Sequence, residues 1–295
     1  MWVAARKGRQ MAMKLSRRAP LCHRLQCMTL PQHIAAVREL TAITAPPRKI
    51  AFDGPFTKWA TAYGEWWAPP ARLDFMEKLV HEIRMDVYGL GTDRAGQVVI
   101  DGGANIGMFA RQALLAGAEK VICFEPAPKT IEALRRNLQA DIECGRVVIV
   151  SKALWSDPGK ALFAIPAGDA GSDQIVQAEG VRGADSSIEV ELTSVDVIVR
   201  ELGLARVDFI KIDVEGAEAA AIQGAAETLS QFQPIVSIAT EHTEDVLANN
   251  RAVLDALAVS APTFKTRCME CHAERSVSFG GAALTPYVLK SAPCL

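Results

Sequence analysis

Val98-Val99-Ile100-Asp101-Gly102-Gly103-Ala104-Asn105-Ile106-Gly107 is the stretch on which the reading of this chain turns. An apolar run ends in an acid, two glycines follow, and an amphipathic segment begins. Glycine lets a backbone turn sharply and approach a ligand closely. The run 97–101 therefore reads as a buried strand, and 106–116 as a helix stopped by Gly117.

The same alternation continues outward. Strands are expected at 120–125, 146–151, 207–213 and 234–239, with helices at 128–139, 194–202, 217–229 and 243–257. The stretches 160–165 and 188–193 alternate like exposed strands around the glycine-rich segment 167–187. Two more strands with an irregular connection are expected in 263–290. Alternating βα units imply an α/β fold, a doubly wound and mostly parallel sheet covered on both faces. Ligands of such sheets sit beyond the carboxyl ends of the strands.

Three regions are expected. Residues 1–50 form a basic, disordered segment and a linker around Ala45-Pro46-Pro47. Residues 51–96 form a helical, aromatic-rich preface, and 97–295 the main domain. In the preface, Leu73, Met76, Leu79, Val80, Ile83 and Val87 recur at helical spacing after Pro69-Pro70. Its aromatic cluster of Phe52, Phe56, Trp59, Tyr63, Trp66 and Trp67 suits packing onto the sheet, or the lining of an acceptor pocket.

With 295 residues, 49% of them apolar, a sizeable core is available, and no run of about 18 apolar residues suggests a membrane span. The net charge of -2 is uneven. Residues 1–38 hold eight basic residues and no acid, leaving 24 basic against 34 acidic residues beyond them. An acidic main domain argues against nucleic acid as a partner, since binding it needs positive surface. The head 1–30 reads as a disordered tail, or as residues upstream of a start at Met11, Met13 or Met28; its arginine content and lack of acids are also those of a transit peptide. Seven scattered cysteines point to a reducing, cytoplasmic setting. Cys268-Met269-Glu270-Cys271-His272 spells a haem-attachment sequence and could contribute to a zinc site, but reads better as free thiols in an irregular tail. No metal is assigned.

Chemistry is expected at three strand ends. Asp101 follows the first strand. The turn after it lacks the G-x-G-x-x-G of nicotinamide dinucleotide sites, because Ala104 or Asn105 stands where the second glycine belongs. Glu125 ends the second strand, where a carboxylate can accept from ribose hydroxyls or simply be solvated. Asp213 and Glu215 follow the fourth strand, and Glu218 opens a helix whose dipole it can complement. Glu241-His242 follows the fifth strand, and histidine is the side-chain type whose ordinary range suits a base.

These segments, with Ile210-Lys211-Ile212-Asp213-Val214-Glu215-Gly216 the most distinctive, resemble the FkbM family of S-adenosylmethionine-dependent methyltransferases. Ala153-Leu154-Trp155-Ser156-Asp157-Pro158-Gly159 and Thr193-Ser194-Val195-Asp196 resemble it too, although the family often has Ser where this chain has Trp155. The resemblance covers about residues 95–260. It implies a Rossmann-like class I sheet of seven strands and methyl transfer to a hydroxyl of a small molecule, sugar or natural product. It further implies that Asp101, Gly102, Gly103, Asn105 and Gly107 surround the methionine part of S-adenosylmethionine, Glu125 the ribose and Ala153 the adenine. Asp213 and Glu215 would face the methyl and the acceptor. Apart from the resemblance, the place of His242 after the fifth strand makes it the expected base, with Asp213 or Glu215 orienting the acceptor or acting instead. Asp213 and Glu215 together are too few ligands to argue for a divalent metal. A nucleotide-binding module without catalysis, and a nicotinamide-dependent oxidoreductase, are the alternative readings.

Overall fold

The structure, a computed structural model, describes residues 45–71, 73–165, 174–176, 186–240, 246–273 and 284–293. The basic head, most of the glycine-rich segment and Glu241-His242 lie outside the described residues. The chain divides into two compact units, one of 1–46 with 61–64 and one of 47–60 with 65–295. In the first unit, the turn 61–64 is closed by Thr61 Oγ1 donating to the Gly64 carbonyl at 2.9 Å. The site lies within the second unit.

The preface is not mainly helical. Strands β1 (Arg48–Asp53), β2 (Phe56–Thr61) and β3 (Gly64–Ala68) form a three-stranded sheet, followed by helix α1 (Leu73–Met85). The signal for the first hairpin was Asp53-Gly54, a turn dipeptide between two strand-length runs, with Gly54 at φ +55°. Trp59 and Trp66 are fully buried. Asn137 fastens β3 to the main domain: it accepts from Trp67 N–H at 2.7 Å and donates to the carbonyls of Trp67 and Ile106, both at 2.8 Å. The Arg111 guanidinium lies 4.4 Å from the Trp66 ring centroid. Of the six aromatics, Phe56, Trp59 and Trp66 are buried in packing, Phe52 is 70% exposed, and none lines the cavity described below.

The central sheet contains β4 (Val98–Gly102), β5 (Lys120–Phe124), β6 (Val147–Val150), β11 (Phe209–Ile212) and β12 (Ile235–Ala239), all parallel. Strand β14 (Leu284–Pro293) joins antiparallel to β12, and β13 (Phe264–Ala273) pairs antiparallel with β14. The order is β13-β14-β12-β11-β4-β5-β6, with β4 inside the sheet where the chain reverses its direction of building. Cys268 and Cys271 therefore lie on a paired strand rather than in an irregular tail. A second sheet, β7-β10-β8-β9, is built from β7 (Ala153–Leu154), β8 (Gly159–Ile165), β9 (Gln174–Val176) and β10 (Ser186–Thr193).

Alternate side chains of the buried strands serve two cores. Ile100, Ile122, Ile210, Ile212, Val236 and Ile238 fill one, and Val99, Val121, Cys123 and Phe209 contribute to the other. Helices α2 (Met108–Leu115), α3 (Pro128–Asn137) and α4 (Gln139–Glu143) follow the first two parallel strands. Helix α5 (Val195–Glu201) precedes β11, and α8 (Val246–Ser260) follows β12. The single helix expected over 217–229 is two, α6 (Glu218–Gln223) and α7 (Ala226–Phe232). The break falls at Gly224, where a Cβ would sit 2.2 Å from the Trp155 carbonyl oxygen, so the chain has to be bare there.

Candidate active site

A cavity of about 380 Å³ opens at the carboxyl ends of β4, β5 and β11. Its walls are the turn 103–106, Glu125-Pro126, residues 152–154 and residues 213–215, closed on another side by α1 through Phe75, Lys78, Leu79, Glu82 and Ile83. On α1 the apolar wall residues recur every fourth position, and so do Asp74, Lys78 and Glu82. The helix thus shows the cavity one apolar and one charged stripe.

The turn after β4 is internally saturated. Gly103 and Ala104 N–H both donate to the Phe124 carbonyl, at 3.0 and 2.9 Å, and Gly107 N–H donates to the Ala104 carbonyl at 2.9 Å. Asn105 N–H donates to Glu125 Oε2 at 3.0 Å, and Ile106 N–H to Asn105 Oδ1 at 2.8 Å. Ala127 N–H donates to Glu125 Oε1 at 3.0 Å. Glu125 thus braces the turn while lining the cavity, so it is not merely a solvated strand end. Two glycines are dictated by geometry. Gly103 has φ +73°, and a Cβ there would lie 1.9 Å from the Asp213 carbonyl oxygen. Gly107 has φ +90°, and a Cβ there would meet Leu134 Cδ1 at 2.6 Å.

Of the residues singled out from the sequence, Gly103, Asn105, Glu125, Ala153, Asp213 and Glu215 line the cavity. Asp101, Gly102 and Gly107 do not. Gly102 is bare because a Cβ would meet Leu154 Cδ1 at 2.7 Å. Asp101 belongs to a row of residues at one level across four parallel strands, Ser237, Lys211, Asp101 and Cys123 in register. All four are buried. The expected contact of Asp101 with a cationic ligand is revised accordingly: its carboxylate is 0% exposed and its Oδ1 accepts from Lys211 Nζ at 3.1 Å. Burial pushes the Asp101 carboxyl above its ordinary value, and Lys211 opposes this. Burial would lower the Lys211 ammonium, but Asp101 and Asp213 more than reverse that and hold it above the ordinary lysine value. Burial also drives the Cys123 thiol well up, which makes it a packing residue.

Lys211 was not singled out from the sequence. A lysine inside an apolar strand needs a buried partner, and Asp101 ending another expected strand was the available signal. Its ammonium also donates to the carbonyls of Gly103 at 2.8 Å and Gly102 at 3.3 Å, and stands 3.7 Å from Asp213 Oδ2. Tyr88, also missed, donates its hydroxyl to Asp213 Oδ2 at 2.5 Å. Glu215 lines the cavity from a left-handed backbone, φ +53°, ahead of Gly216 at φ +100°. Glu218 does more than complement a helix dipole: it is 0% exposed and joins Gly216 N–H, at 3.0 Å, to Asn249 Nδ2 on α8, at 3.3 Å.

The methyltransferase FkbM domain matches residues 101–258, more than half of the chain and nearly the whole of the cavity's strand-end chemistry. The chain belongs to this family. Among curated relatives of this FkbM methyltransferase, the 2-O-methyltransferase NoeI of Sinorhizobium fredii is 27% identical over 186 residues, which are 59% of this chain and 74% of that protein. Methyltransferase sdnD of Sordaria araneosa is 27% identical over 167 residues, 48% of this chain and 64% of that one. A solved structure of methyltransferase FkbM from Methylobacillus flagellatus shares 14% identity, with a TM-score of 0.46, over 88% of this chain and 60% of its own.

Two residues of the FkbM-like segment Thr193-Ser194-Val195-Asp196 have structural work in this chain. Ser194 caps α5, accepting from Val197 N–H at 3.3 Å. Asp196 caps α7 through Glu227 N–H at 2.9 Å, Thr228 N–H at 2.8 Å and Thr228 Oγ1 at 2.6 Å. Among the described residues no helix is long and apolar enough to cross a membrane, and no three His, Cys, Asp or Glu side chains gather as a metal site.

Proposed function

We propose that this FkbM methyltransferase uses S-adenosylmethionine to methylate a hydroxyl of a small molecule or carbohydrate. The observation that carries the cofactor is the saturated turn: all five N–H groups of residues 103–107 donate within the protein. A dinucleotide pyrophosphate needs such amides free. S-adenosylmethionine carries no phosphate, and its positive charge suits a cavity lined by Asp74, Glu82, Glu125, Asp213 and Glu215 against Lys78, Lys152 and Lys211. Lys152 already pairs with Glu191 at 3.0 Å.

Glu125 would accept the ribose hydroxyls, Gly103 and Asn105 border the methionine part, and Ala153 lie against the adenine. The cofactor, when bound, supplies an electrophilic methyl on a cationic sulfonium. The chain's part is to hold the acceptor oxygen in line and to take its proton as the new bond to carbon forms. Asp213 faces an ammonium and a phenol, an environment that suits a fixed charge orienting the acceptor. Glu215 or His242 is then the proton acceptor. That NoeI is a 2-O-methyltransferase supports oxygen as the target.

Calorimetry with S-adenosylhomocysteine and with NAD(P)H tests the cofactor. Binding of the first alone is expected, and tight binding of the second would reverse the assignment. Labelled methyl transfer into fractionated cell extract then identifies the acceptor; label stable to mild base is expected of an ether, and base-labile label would mean a carboxyl acceptor.

A further inference from the structure

Tyr88 lies outside the residues that match the family domain, yet it reaches the strand end at the centre of the site. The residue is 4% exposed. Its ring meets the Phe109 edge at a centroid distance of 5.6 Å and an interplanar angle of 83°. The Lys211 ammonium stands 5.1 Å over its ring. Phenol and ammonium converge on one atom, Asp213 Oδ2, at 2.5 and 3.7 Å. Lys211 cannot move toward or away from that atom freely, because Asp101 and the carbonyls of Gly102 and Gly103 also hold it.

With both carboxyls ionised, the charges of this group do not cancel. One ammonium stands between two carboxylates, Asp101 on the buried side and Asp213 on the cavity, and Glu82 of α1 adds to the same field. The surplus negative charge is the one on the cavity side, where Asp213 lines the wall. A cationic ligand gains from that surplus in a partly desolvated site, and a neutral thioether does not. The gain depends on direction, since a carboxylate free to rotate toward Lys211 would spend its charge there.

We propose that Tyr88 is a positioning residue that, with Lys211, aims Asp213 into the cavity so that the site distinguishes the methyl-bearing sulfonium from its thioether product. This rests on the S-adenosylmethionine reading above. It gives the preface a share in product release, since the reaction removes the charge that the aimed carboxylate holds.

The test is calorimetry with S-adenosylmethionine and S-adenosylhomocysteine on the full chain, for the parent, Tyr88→Phe, Asp213→Asn and the double variant. The quantity read is the ratio of the two dissociation constants. Asp213→Asn should lower the preference for the sulfonium form about tenfold, or about 1.4 kcal/mol. Tyr88→Phe should lower it about threefold by weakening S-adenosylmethionine alone, and the double variant should match Asp213→Asn, because Tyr88 acts through that residue. An unchanged ratio in Tyr88→Phe, an equal weakening of both ligands, or multiplying effects in the double variant would overturn the proposal. So would a preference indifferent to Asp213→Asn, which remains readable should Tyr88→Phe fail to fold. Failure of the parent to bind either ligand would instead remove the cofactor assignment.

Discussion

Lys211 Nζ and Asp101 Oδ1 lie 3.1 Å apart on directly paired positions of β11 and β4, with the lysine side chain 4% and the aspartate 0% exposed. Taking one partner from such a pair leaves an uncompensated buried charge, which costs about 3–5 kcal/mol. Lys211→Met should therefore unfold at much lower denaturant than the parent, and adding Asp101→Asn should restore a large part of the loss. Denaturant titrations of the two variants check this.

The same pair makes a pH prediction. In Lys211→Met, burial still raises the Asp101 carboxyl and its main opponent is gone. A carboxyl whose folded value stands above its unfolded value favours folding at low pH, and that advantage is lost as pH rises from the unfolded toward the folded value. The deficit of Lys211→Met relative to the parent should be smaller at about pH 5 than at about pH 8, where model carboxyls are ionised. A larger deficit at the acid end would contradict the burial of an unpaired carboxyl.

Gly103→Ala should be among the most damaging small substitutions. The added carbon would need the space of the Asp213 carbonyl oxygen, at 1.9 Å, from a left-handed backbone. Strain of that conformation alone is about 1–3 kcal/mol, and the clash adds to it. Loss of S-adenosylhomocysteine binding with a lowered Tm is expected; a variant that binds as the parent does would show the turn to be looser than its contacts imply.

Glu125→Gln keeps size but replaces one carboxylate oxygen with a donor, setting it against Asn105 N–H or Ala127 N–H. A displaced buried hydrogen bond costs about 1–3 kcal/mol. S-adenosylhomocysteine affinity should fall at least tenfold by calorimetry, with a modest drop in Tm.

Asn137→Ala removes all three hydrogen bonds to Trp67 and Ile106. The expected loss is about 2–4 kcal/mol, from two or three buried backbone groups left without partners. It should be accompanied by a change in tryptophan fluorescence, since Trp66 and Trp67 flank that anchor.

Much of this was legible in the residues. The buried parallel strands announced themselves as short apolar runs, three of them (β4, β5 and β11) ending in or followed by an acid, and the structure places each within a residue or two of its expected bounds. The preface was misread because Arg48 to Ala68 mixes charged and aromatic residues without a clean period. Its strands are held by pairing and by Asn137 rather than by a two-sided apolar pattern. Asp101 was expected at the ligand because it ends a strand beside a glycine turn. Its partner, Lys211, lies 110 positions away, and their pairing depends on strand order and register, which no local pattern encodes. Tyr88 carried no signal for the same reason: its partner is chosen by tertiary contact.

The stripes of α1 suggest where the chain can change its tastes. They lie on a 13-residue helix ahead of the family-matched stretch, and the register of the parallel strands is that of their backbone pairing. Replacing Phe75, Leu79 or Ile83 would reshape the chamber while leaving the braced turn and the Lys211 row as they are. Under the proposed function these helical positions are a separable dial: acceptor preference is expected to change as they are rewritten, while the braced turn and the Lys211 row stay constant.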